Sequence, residues 1–520
     1  MKRSILKLLV LVLTVTMLVG MIPAALAAQA PMVIEWYYND DQTMVEDDWF
    51  RTEVETAFNV TLKPVVRPGP EQQQWYEREL AAGTHFDYYQ SGGLMRADYY
   101  RYLKNGLIME ISRDMIAKNM PNYMKWAQKY ASTFGGDLFK WWEVDGKLYT
   151  IPTSRPGDAH RNVLGIRQDW LDNLGLEVPR TIEEFEEVLR AFTQDDPDGN
   201  GKDDTYGITG VNWRSYTMAP YMQAFGTNID LWYQEDGVVK YGTVQPETKK
   251  ALAMMNRWYT AGYIIPTTFE QDWEAFRSDL YNSKAGMGVQ YYMVFQDKND
   301  GWMLPDLLAA TPTATFAITP GIEGENGKVG CQQFSPIVYS GVMFNYDLAG
   351  QPEKVAKYMQ IFDALTFDET WQIKANYGIE GKDYTMENGL PVIIESVDGT
   401  NSTASAPATG MVLGNLTPFF NDPDQDRIFR FRTPEQRAMD EKGFQMATGI
   451  YNLMDASPVT REKNELYKEA LGKIVDAYIL PIIKGERPID DFDRMVEEWN
   501  AAGGTEVVAE AQSIYDTYMK

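Results

Sequence analysis

The feature that most constrains this chain is its single cysteine, Cys331, in a sequence that begins like an exported protein. Basic residues precede an apolar run over residues 8–22, and Ala25 and Ala27 form the small-residue pattern that signal peptidase cuts. We expect residues 1–27 to be a cleaved signal peptide, with an uncleaved N-terminal anchor as the alternative. An exported chain without disulfides must rely on large hydrophobic cores, and a content of 44% apolar and 13% aromatic residues can supply them.

The net charge of −26 excludes some classes of partner. Nucleic acids and anionic lipid surfaces attract basic proteins, so we expect neither as a partner. The chain also contains 14 tryptophans and 31 tyrosines. Most of these should pack in cores, but a minority in clefts would offer flat apolar plates with polar edges, which suit the faces of sugar rings.

The first elements of the expected mature chain predict a parallel sheet. Residues 32–38 and 60–66 are rich in β-branched and aromatic residues, and residues 47–58 between them have helical apolar spacing. This β-α-β order is typical of parallel sheets, whose ligands gather beyond the carboxyl ends of the strands. A third strand is predicted within residues 86–93. Four polar residues are therefore ligand candidates by position, with ordinary turn chemistry as the alternative: Asn39, Asp40, Gln90 and Ser91.

The passage over residues 146–194 is the easiest to interpret. A predicted strand ends at Pro152, a short helix stops at Gly175, and Thr181 with Glu184 forms a capping box for the next helix. Later segments alternate between predicted helices and short strands. This order favours two α/β lobes whose chain crosses between them more than once.

An acidic loop follows that capped helix. Oxygen donors fall at positions 1, 3, 5 and 9 of a calcium-binding EF-hand loop, and Gly201 occupies position 6, where the loop turns sharply. The carbonyl of position 7 adds a further donor. Gly207 replaces the bidentate glutamate of position 12, so we expect a calcium-stabilised loop and not a switch; a solvated turn is the alternative. The expected ligands are Asp196, Asp198, Asn200, the Lys202 carbonyl and Asp204.

Common catalytic motifs are missing. The sequence has two histidines and no HExxH, CxxC, GxSxG or phosphate-binding GxxxxGK[ST] motif. A pair of carboxylates for glycoside hydrolysis stays open as an alternative, because such a pair comes together only in the fold.

Several motifs together resemble one family. The matching segments are GKLYTIP (146–152), the passage over residues 167–210, AGTHFDYYQSGG (82–93), LYNSKAGMGV (280–289) and NYGIEGKDYTMENG (376–389). They resemble the extracellular solute-binding proteins of carbohydrate ABC transporters (family 1 type), above all the large subgroup of alginate-oligosaccharide-binding proteins and Gram-positive sugar-binding lipoproteins. The sequence departs from that subgroup in lacking the lipobox cysteine and in having Thr205 where the calcium pattern has a further acidic residue.

The resemblance implies an α/β, two-lobe periplasmic-binding-protein-like (type II) fold with an interlobe ligand cleft. The implied N-terminal lobe comprises residues 28–153 plus about 295–345, and the C-terminal lobe comprises residues 154–294 plus about 346–490 with the calcium loop. Residues 491–520 are expected to form C-terminal helices. The resemblance also carries over structural Ca²⁺ at the acidic loop.

In function, the resemblance implies a monomeric binding protein, not an enzyme, that captures an oligosaccharide and docks on ABC transporter permease subunits in the periplasm or at the cell surface. The alternatives are a secreted carbohydrate-active enzyme and a binding protein for another solute, such as a peptide. Candidate ligand residues lie near strand ends or turns, and for each of them plain core packing is the alternative: Trp36, Tyr38, Trp213, Arg214, Trp273, Tyr291, Tyr292, Trp371 and Tyr377. Arg155 and Asp158 lie at the predicted crossing between lobes, where they could bind hydroxyls or pair across the hinge.

Overall fold

A computed structural model describes residues 30–39, 49–67, 72–90, 96–131, 136–154, 160–298, 302–324, 327–335, 341–394, 434–457, 459 and 461–519. Its buried apolar residues form two large hydrophobic cores and a small cluster of Ile373, Tyr377 and Tyr384. We call the parts around the two large cores the first and second lobes.

The first lobe contains two two-stranded sheets and a group of helices. Strands β1 (Met32–Asn39) and β2 (Val60–Arg67) pair in parallel, as the sequence predicts, and β3 (Tyr88–Gln90) pairs antiparallel with β11 (Val342–Phe344). Its helices are α1 (Trp49–Phe58), α2 (Gln72–Ala81), α3 (Arg96–Lys104), α4 (Arg113–Asn119), α5 (Pro121–Lys129), α13 (Pro352–Phe367) and α14 (Glu369–Tyr377). A hairpin of β12 (Tyr384–Glu387) and β13 (Leu390–Ile393) follows α14.

The second lobe is built on a four-stranded sheet in the order β5-β8-β4-β9. These strands are β4 (Asn162–Arg167), β5 (Tyr206–Ile208), β8 (Ala285–Tyr291) and β9 (Phe316–Thr319). β5 runs parallel to β8, whereas β4 is antiparallel to both β8 and β9. Two further pairs join β6 (Trp232–Glu235) to β7 (Val238–Tyr241), and β10 (Cys331–Gln332) to β14 (Gly449–Ile450).

Helices surround this sheet and bury its central strands, since every residue of β4 is buried. They are α6 (Gln168–Leu174), α7 (Ile182–Gln194), α8 (Arg214–Met222), α9 (Pro246–Thr260), α10 (Trp273–Tyr281), α11 (Tyr292–Gln296), α12 (Leu304–Ala310), α15 (Pro434–Met446), α16 (Glu462–Ile483), α17 (Asp491–Trp499) and α18 (Thr505–Ile514). None of the described helices is long and apolar enough to cross a membrane.

Local sequence signals explain how α6 and α7 begin and end. Gly175 adopts a left-handed conformation (φ 68°) at the end of α6, which a residue without a Cβ does at little cost. The Thr181 side chain accepts a hydrogen bond from the Glu184 N–H, and the Glu184 carboxylate accepts one from the Thr181 N–H. The predicted capping box of α7 is therefore confirmed, and it fixes the start of a helix that ends at the acidic loop.

The structure corrects the predicted division of the later segments between lobes. Of residues 295–345, which the sequence assigns to the first lobe, Phe295, Leu307 and Ile318 belong to the second core, whereas β11 packs in the first core. The reason is that β9 pairs with β4 and so brings this segment onto the second sheet. Conversely, α13, which lies in the segment assigned to the second lobe, packs in the first core. Phe492 and Trp499 of α17 also belong to the second core, so this helix is part of that lobe.

Candidate functional site

At one edge of the second-lobe sheet, the loops that follow β5 and β8 lie next to the residues that precede β4. β5 and β8 are parallel, so their carboxyl ends lie together, and Asn162 at the start of β4 pairs with Tyr291 at the end of β8. Ligand sites in α/β folds form beyond the carboxyl ends of strands. This edge is therefore the place where the second lobe can hold a ligand.

Four aromatic rings form a continuous surface at this edge, which we call the aromatic platform: Trp213, Tyr216, Trp273 and Phe334. Trp213 stacks on Tyr216 with ring centroids 5.3 Å apart and an interplanar angle of 19°, and Trp273 meets Tyr216 edge-on at 5.4 Å. Phe334 lies 5.8 Å from Trp213. The two tryptophans are 40% and 41% exposed, whereas Tyr216 is buried between them. The platform can thus offer indole faces to a ligand while its central ring stays fixed.

The two loops that carry the tryptophans are held together by Gln271. Its side-chain amide donates to the Gly210 carbonyl at 2.7 Å, and the Asn212 N–H donates to the Gln271 carbonyl at 2.9 Å. Asp272 caps the following helix by accepting from the Ala275 N–H at 2.9 Å. These bonds position the tryptophans before any ligand arrives, which reduces the entropic cost of binding.

Polar groups lie beside the platform. The Tyr216 hydroxyl is 3.3 Å from the Asn162 side-chain oxygen and 3.4 Å from that of Gln290, so it can donate to one of them at a time. Burial raises the pKa of Tyr216, and its hydroxyl therefore stays protonated. The Asn162 amide donates to the Gln332 carbonyl at 2.8 Å. The edge thus combines flat apolar rings with hydrogen-bonding groups, which is the composition of a carbohydrate site.

A cationic and aromatic group lies at the start of β4. The Arg161 guanidinium is 4.9 Å from the centre of the Tyr291 ring, and the His160 ring is 4.5 Å from that of Phe444 in α15. Because His160 and Arg161 directly precede Asn162, this group is continuous along the chain with the platform.

The predicted ligand residues divide into three groups. Trp213 and Trp273 come together in the platform, and Tyr291 lies at the same edge, 9% exposed. Tyr38 and Asn39 end β1, and Gln90 ends β3, in the first lobe. Asp40, Ser91, Arg155 and Asp158 lie outside the described residues.

Two other aromatic candidates are buried in the structure. Trp36 has no exposed surface and packs against Phe362 in the first core. Tyr292 is 3% exposed; its hydroxyl donates to Asp440, and its ring packs against Gly443.

The remaining three predicted residues are likewise occupied by packing or ion pairs. Trp371 packs between Phe50 and Phe58 in the first lobe, and Tyr377 is buried against Tyr384. Arg214 forms ion pairs with Asp230 at 3.1 Å and Asp476 at 2.7 Å.

Sequence reasoning missed Tyr216, Phe334 and Gln290. Tyr216 lies three residues after Trp213 at the start of a helix, so the i, i+3 neighbourhood would have pointed to it. Gln290 directly precedes a predicted residue. Phe334 gave no local signal, because it reaches this edge through long-range hydrogen bonds between the neighbouring Gln333 side chain and the Asn162 backbone.

The predicted calcium ligands lie close together in the acidic loop. The Asn200 side-chain amide is 2.9 Å from an Asp198 carboxylate oxygen and 3.1 Å from one of Asp204, and the Asp196 carboxylate accepts from the Gly201 N–H at 2.8 Å. Burial raises the pKa of Asp198, and the neighbouring carboxylates of Asp196 and Asp204 raise it further. Excess negative charge at this point favours a cation.

The loop is also anchored to the lobe on both sides. The Thr205 hydroxyl donates to the Phe192 carbonyl at 2.7 Å, and the Asn173 amide donates to the Pro197 carbonyl at 2.9 Å. Among the described residues, no group of three or more His, Cys, Asp or Glu side chains is already arranged to hold a metal ion. The donor types fit calcium. In this conformation, however, the nitrogen of the Asn200 side-chain amide, and not its oxygen, faces the carboxylates of Asp198 and Asp204.

Comparison with known proteins identifies the class to which this fold corresponds. No protein-family model matches the chain. The structure of the alginate-binding protein AlgQ2 without calcium ion superposes with a TM-score of 0.63 and 18% identity, over 94% of this chain and 98% of that one. An EF-hand mutant of the Streptococcus pneumoniae ABC-transporter substrate-binding protein FusA, in complex with fructo-nystose, gives a TM-score of 0.67 over 94% and 99%. The predicted α/β solute-binding-protein fold is thereby confirmed.

The sequence is similar to two proteins of Bacillus subtilis (strain 168). The polygalacturonan/rhamnogalacturonan-binding protein YtcQ is 24% identical over 469 residues, which cover 89% of this chain and 87% of YtcQ. The lipoprotein LipO is 26% identical over 391 residues, or 72% of each chain. The predicted resemblance to solute-binding proteins of carbohydrate ABC transporters is confirmed.

Proposed function

We propose that this protein is an extracytoplasmic solute-binding protein that captures an oligosaccharide between its two lobes and delivers it to an ABC transporter permease. The observation that carries the proposal is the aromatic platform, in which Trp213 and Trp273 are exposed at the carboxyl edge of a sheet. Exposed tryptophans held by a rigid loop network suit the apolar faces of sugar rings. Relatives that bind pectic polysaccharide and fructo-oligosaccharide support the same ligand class.

The proposal describes binding without turnover. FusA is described as a substrate-binding protein and YtcQ as a binding protein, and both are similar to this chain in sequence. A role outside the cytoplasm agrees with the lipoprotein LipO and with the extracellular solute-binding protein of Bifidobacterium longum subsp. infantis among the similar proteins. Cleavage of residues 1–27 and action as a monomer stay predictions.

A ligand panel tests this proposal. The full mature chain is titrated calorimetrically with fructo-oligosaccharides, oligogalacturonides, alginate oligosaccharides and N-glycan fragments, with short peptides as the competing class. A ligand present at 100 times its Kd should add roughly 2.7 kcal/mol to the free energy of unfolding, measured by thermal shift. The products are then examined by chromatography. Binding with intact sugars supports the proposal; shortened sugars would indicate an enzyme, and binding of peptides alone would overturn it.

We further propose that the acidic loop binds a structural calcium ion through Asp196, Asp198, Asn200, Asp204 and the Lys202 carbonyl. The proposal requires the Asn200 amide to turn so that its oxygen, not its nitrogen, faces the carboxylates. Calcium would offset the repulsion among the aspartates and rigidify the connection between α7 and β5.

Calcium removal tests the loop. EGTA should lower Tm and added calcium should restore it, because an ion that binds only the folded state stabilises that state. Asp196→Asn should abolish the response. Asp195→Asn is the matched control, since Asp195 pairs with Arg190 outside the proposed ligand set and should leave the response intact. Identical melting curves with EGTA and with calcium would refute the site.

A further inference from the structure

The first lobe contains a cavity that shares no residue with the aromatic platform. Its volume is about 520 Å³, and it opens between α1, α14 and the β12–β13 hairpin. The residues that matter for its chemistry are Trp49, Glu53, Lys374, Ile379, Tyr384 and Met386. This volume falls within the range of roughly 300–1,000 Å³ that small-molecule sites occupy. We call it the first-lobe pocket.

The position of the first-lobe pocket is set by the β-α-β unit that opens the lobe. Trp49 is the first residue of α1, the helix that follows β1 and precedes the parallel strand β2. A helix that connects parallel strands starts near the carboxyl edge of the strand before it, which is the edge where ligands of α/β sheets bind. The wall of the pocket that Trp49 forms therefore lies toward the ligand-binding edge of its own sheet.

The pocket walls combine apolar and hydrogen-bonding groups. Ile379 and Met386 line the pocket and are 38% and 39% exposed, so both can present apolar surface to a bound ligand. Glu53 and Lys374 form an ion pair whose side chains stay about one-third exposed, so their outer atoms are open to further hydrogen bonds. Such a mixture can stack on a sugar face and bind its hydroxyls at the same time.

The net charge of the pocket lining restricts the kind of sugar residue that the pocket can bind. Glu380 adds a second carboxylate to the lining, against the single ammonium of Lys374. The excess negative charge disfavours a carboxylated sugar residue, because like charges at short range repel in a partly enclosed site. A neutral residue with hydroxyl donors meets no such penalty.

We infer that the first-lobe pocket is an outer subsite that holds a neutral sugar residue of an oligosaccharide whose other part lies on the aromatic platform. This inference rests on the proposed function and adds to it: the protein selects for ligand length, and its outer subsite selects against uronic acids. Short ligands would occupy the platform alone.

The test is a titration series in which ligand length is the variable. Calorimetry compares fructo-oligosaccharides from kestose upward with oligogalacturonides from the dimer upward, for the mature chain and its variants. Trp49→Ala should weaken binding of the longer fructo-oligosaccharides about tenfold, the loss expected for one stacked ring with its buried area. Met386→Trp, at an exposed position of the hairpin, should fill the pocket and have the same effect without removing any core contact. Neither variant should change the affinity for kestose.

Two further variants separate this inference from the proposed function. Trp213→Ala, in the platform, should weaken short and long ligands alike. Tyr346→Ala removes an aromatic ring of the first lobe that is 62% exposed and lies near the start of β3, at the end away from Gln90. This control variant should leave the affinity for short and long ligands unchanged. If Trp49→Ala and Met386→Trp affect all lengths equally, or none, the subsite is refuted while platform binding stands. The same length series is run with whichever sugar class of the panel binds; if the unmodified chain binds no sugar of any class, both proposals fall.

Discussion

The core of the first lobe and the aromatic platform of the second lobe use aromatic residues in opposite ways. In the first lobe, Trp36 and Tyr88 are fully buried and pack on Phe362, with ring centroids 5.8 Å and 5.4 Å from it. In the second lobe, Trp213 and Trp273 make ring contacts of similar length, yet each keeps about two-fifths of its surface exposed. Ring contacts are therefore no guide to function by themselves. What separates a core from a binding surface is whether a ring face stays open at the carboxyl edge of a sheet.

The largest expected effect is a loss of stability when a buried ring of the first-lobe core is removed. Trp36→Ala should lower the free energy of unfolding by about 3–5 kcal/mol, because it removes a large ring from a closed core and leaves a cavity. Denaturant titration measures the change. At temperatures where the variant is folded, its sugar affinity should equal that of the unmodified chain. A large loss of affinity in a fully folded Trp36→Ala protein would break the distinction between the two aromatic groups.

The exposed tryptophans of the platform should show the reverse pattern, with a small loss of stability and a large loss of affinity. Trp213→Ala should cost little stability, since the indole is 40% exposed, but should weaken binding of the sugar identified in the panel about 30-fold, or about 2 kcal/mol. Calorimetry gives the affinity and thermal unfolding gives the stability. An unchanged Kd with a large fall in Tm would place Trp213 with the core residues.

The sequence predicts a region correctly where the contacts that form it join residues close in the chain. It fails where those contacts join residues far apart in the chain. The parallel β1–β2 pair, the capping box at Thr181 and the left-handed Gly175 depend on residues close in the chain, and all three were predicted and confirmed. Of residues 295–345, predicted to lie in the first lobe, β11 does so, but β9 lies in the second lobe because it joins β4 across about 150 residues, a pairing that no local periodicity encodes.

The same argument applies to the platform. Trp213 and Trp273 were found as aromatics near turns, but Trp36, in a similar sequence setting, is core. Exposure depends on what the whole lobe places over a ring, so composition and position could nominate these residues but not choose among them. Phe334 could not be nominated, because the bonds between Gln333 and Asn162 that hold its segment at this edge span 171 residues of the chain.

A helix cap far from the platform tests whether stability and binding are separable within the second lobe. Thr181→Ala removes the hydrogen bond to the Glu184 N–H and should lower the free energy of unfolding by about 1 kcal/mol. The measurement is the shift of the denaturant midpoint at unchanged slope. Affinity for the sugar should not change; if it falls in step with stability, then the platform depends on the stability of the whole lobe and not on its own rings.

The smallest expected effect separates the ring of Tyr216 from its hydroxyl. Tyr216→Phe keeps the ring on which Trp213 stacks, but it removes the hydroxyl beside Asn162 and Gln290. A net hydrogen bond contributes about 0.5–1.5 kcal/mol, so affinity should fall only a few-fold. If the hydroxyl serves only to hold the two amides, the loss should appear in Tm and not in Kd. If it bonds the sugar through them, Kd should rise while Tm stays constant. A loss as large as that of Trp213→Ala would mean that the hydrogen-bonding groups, and not the open indole faces, dominate binding at this edge, and it would reverse the role assigned to the platform.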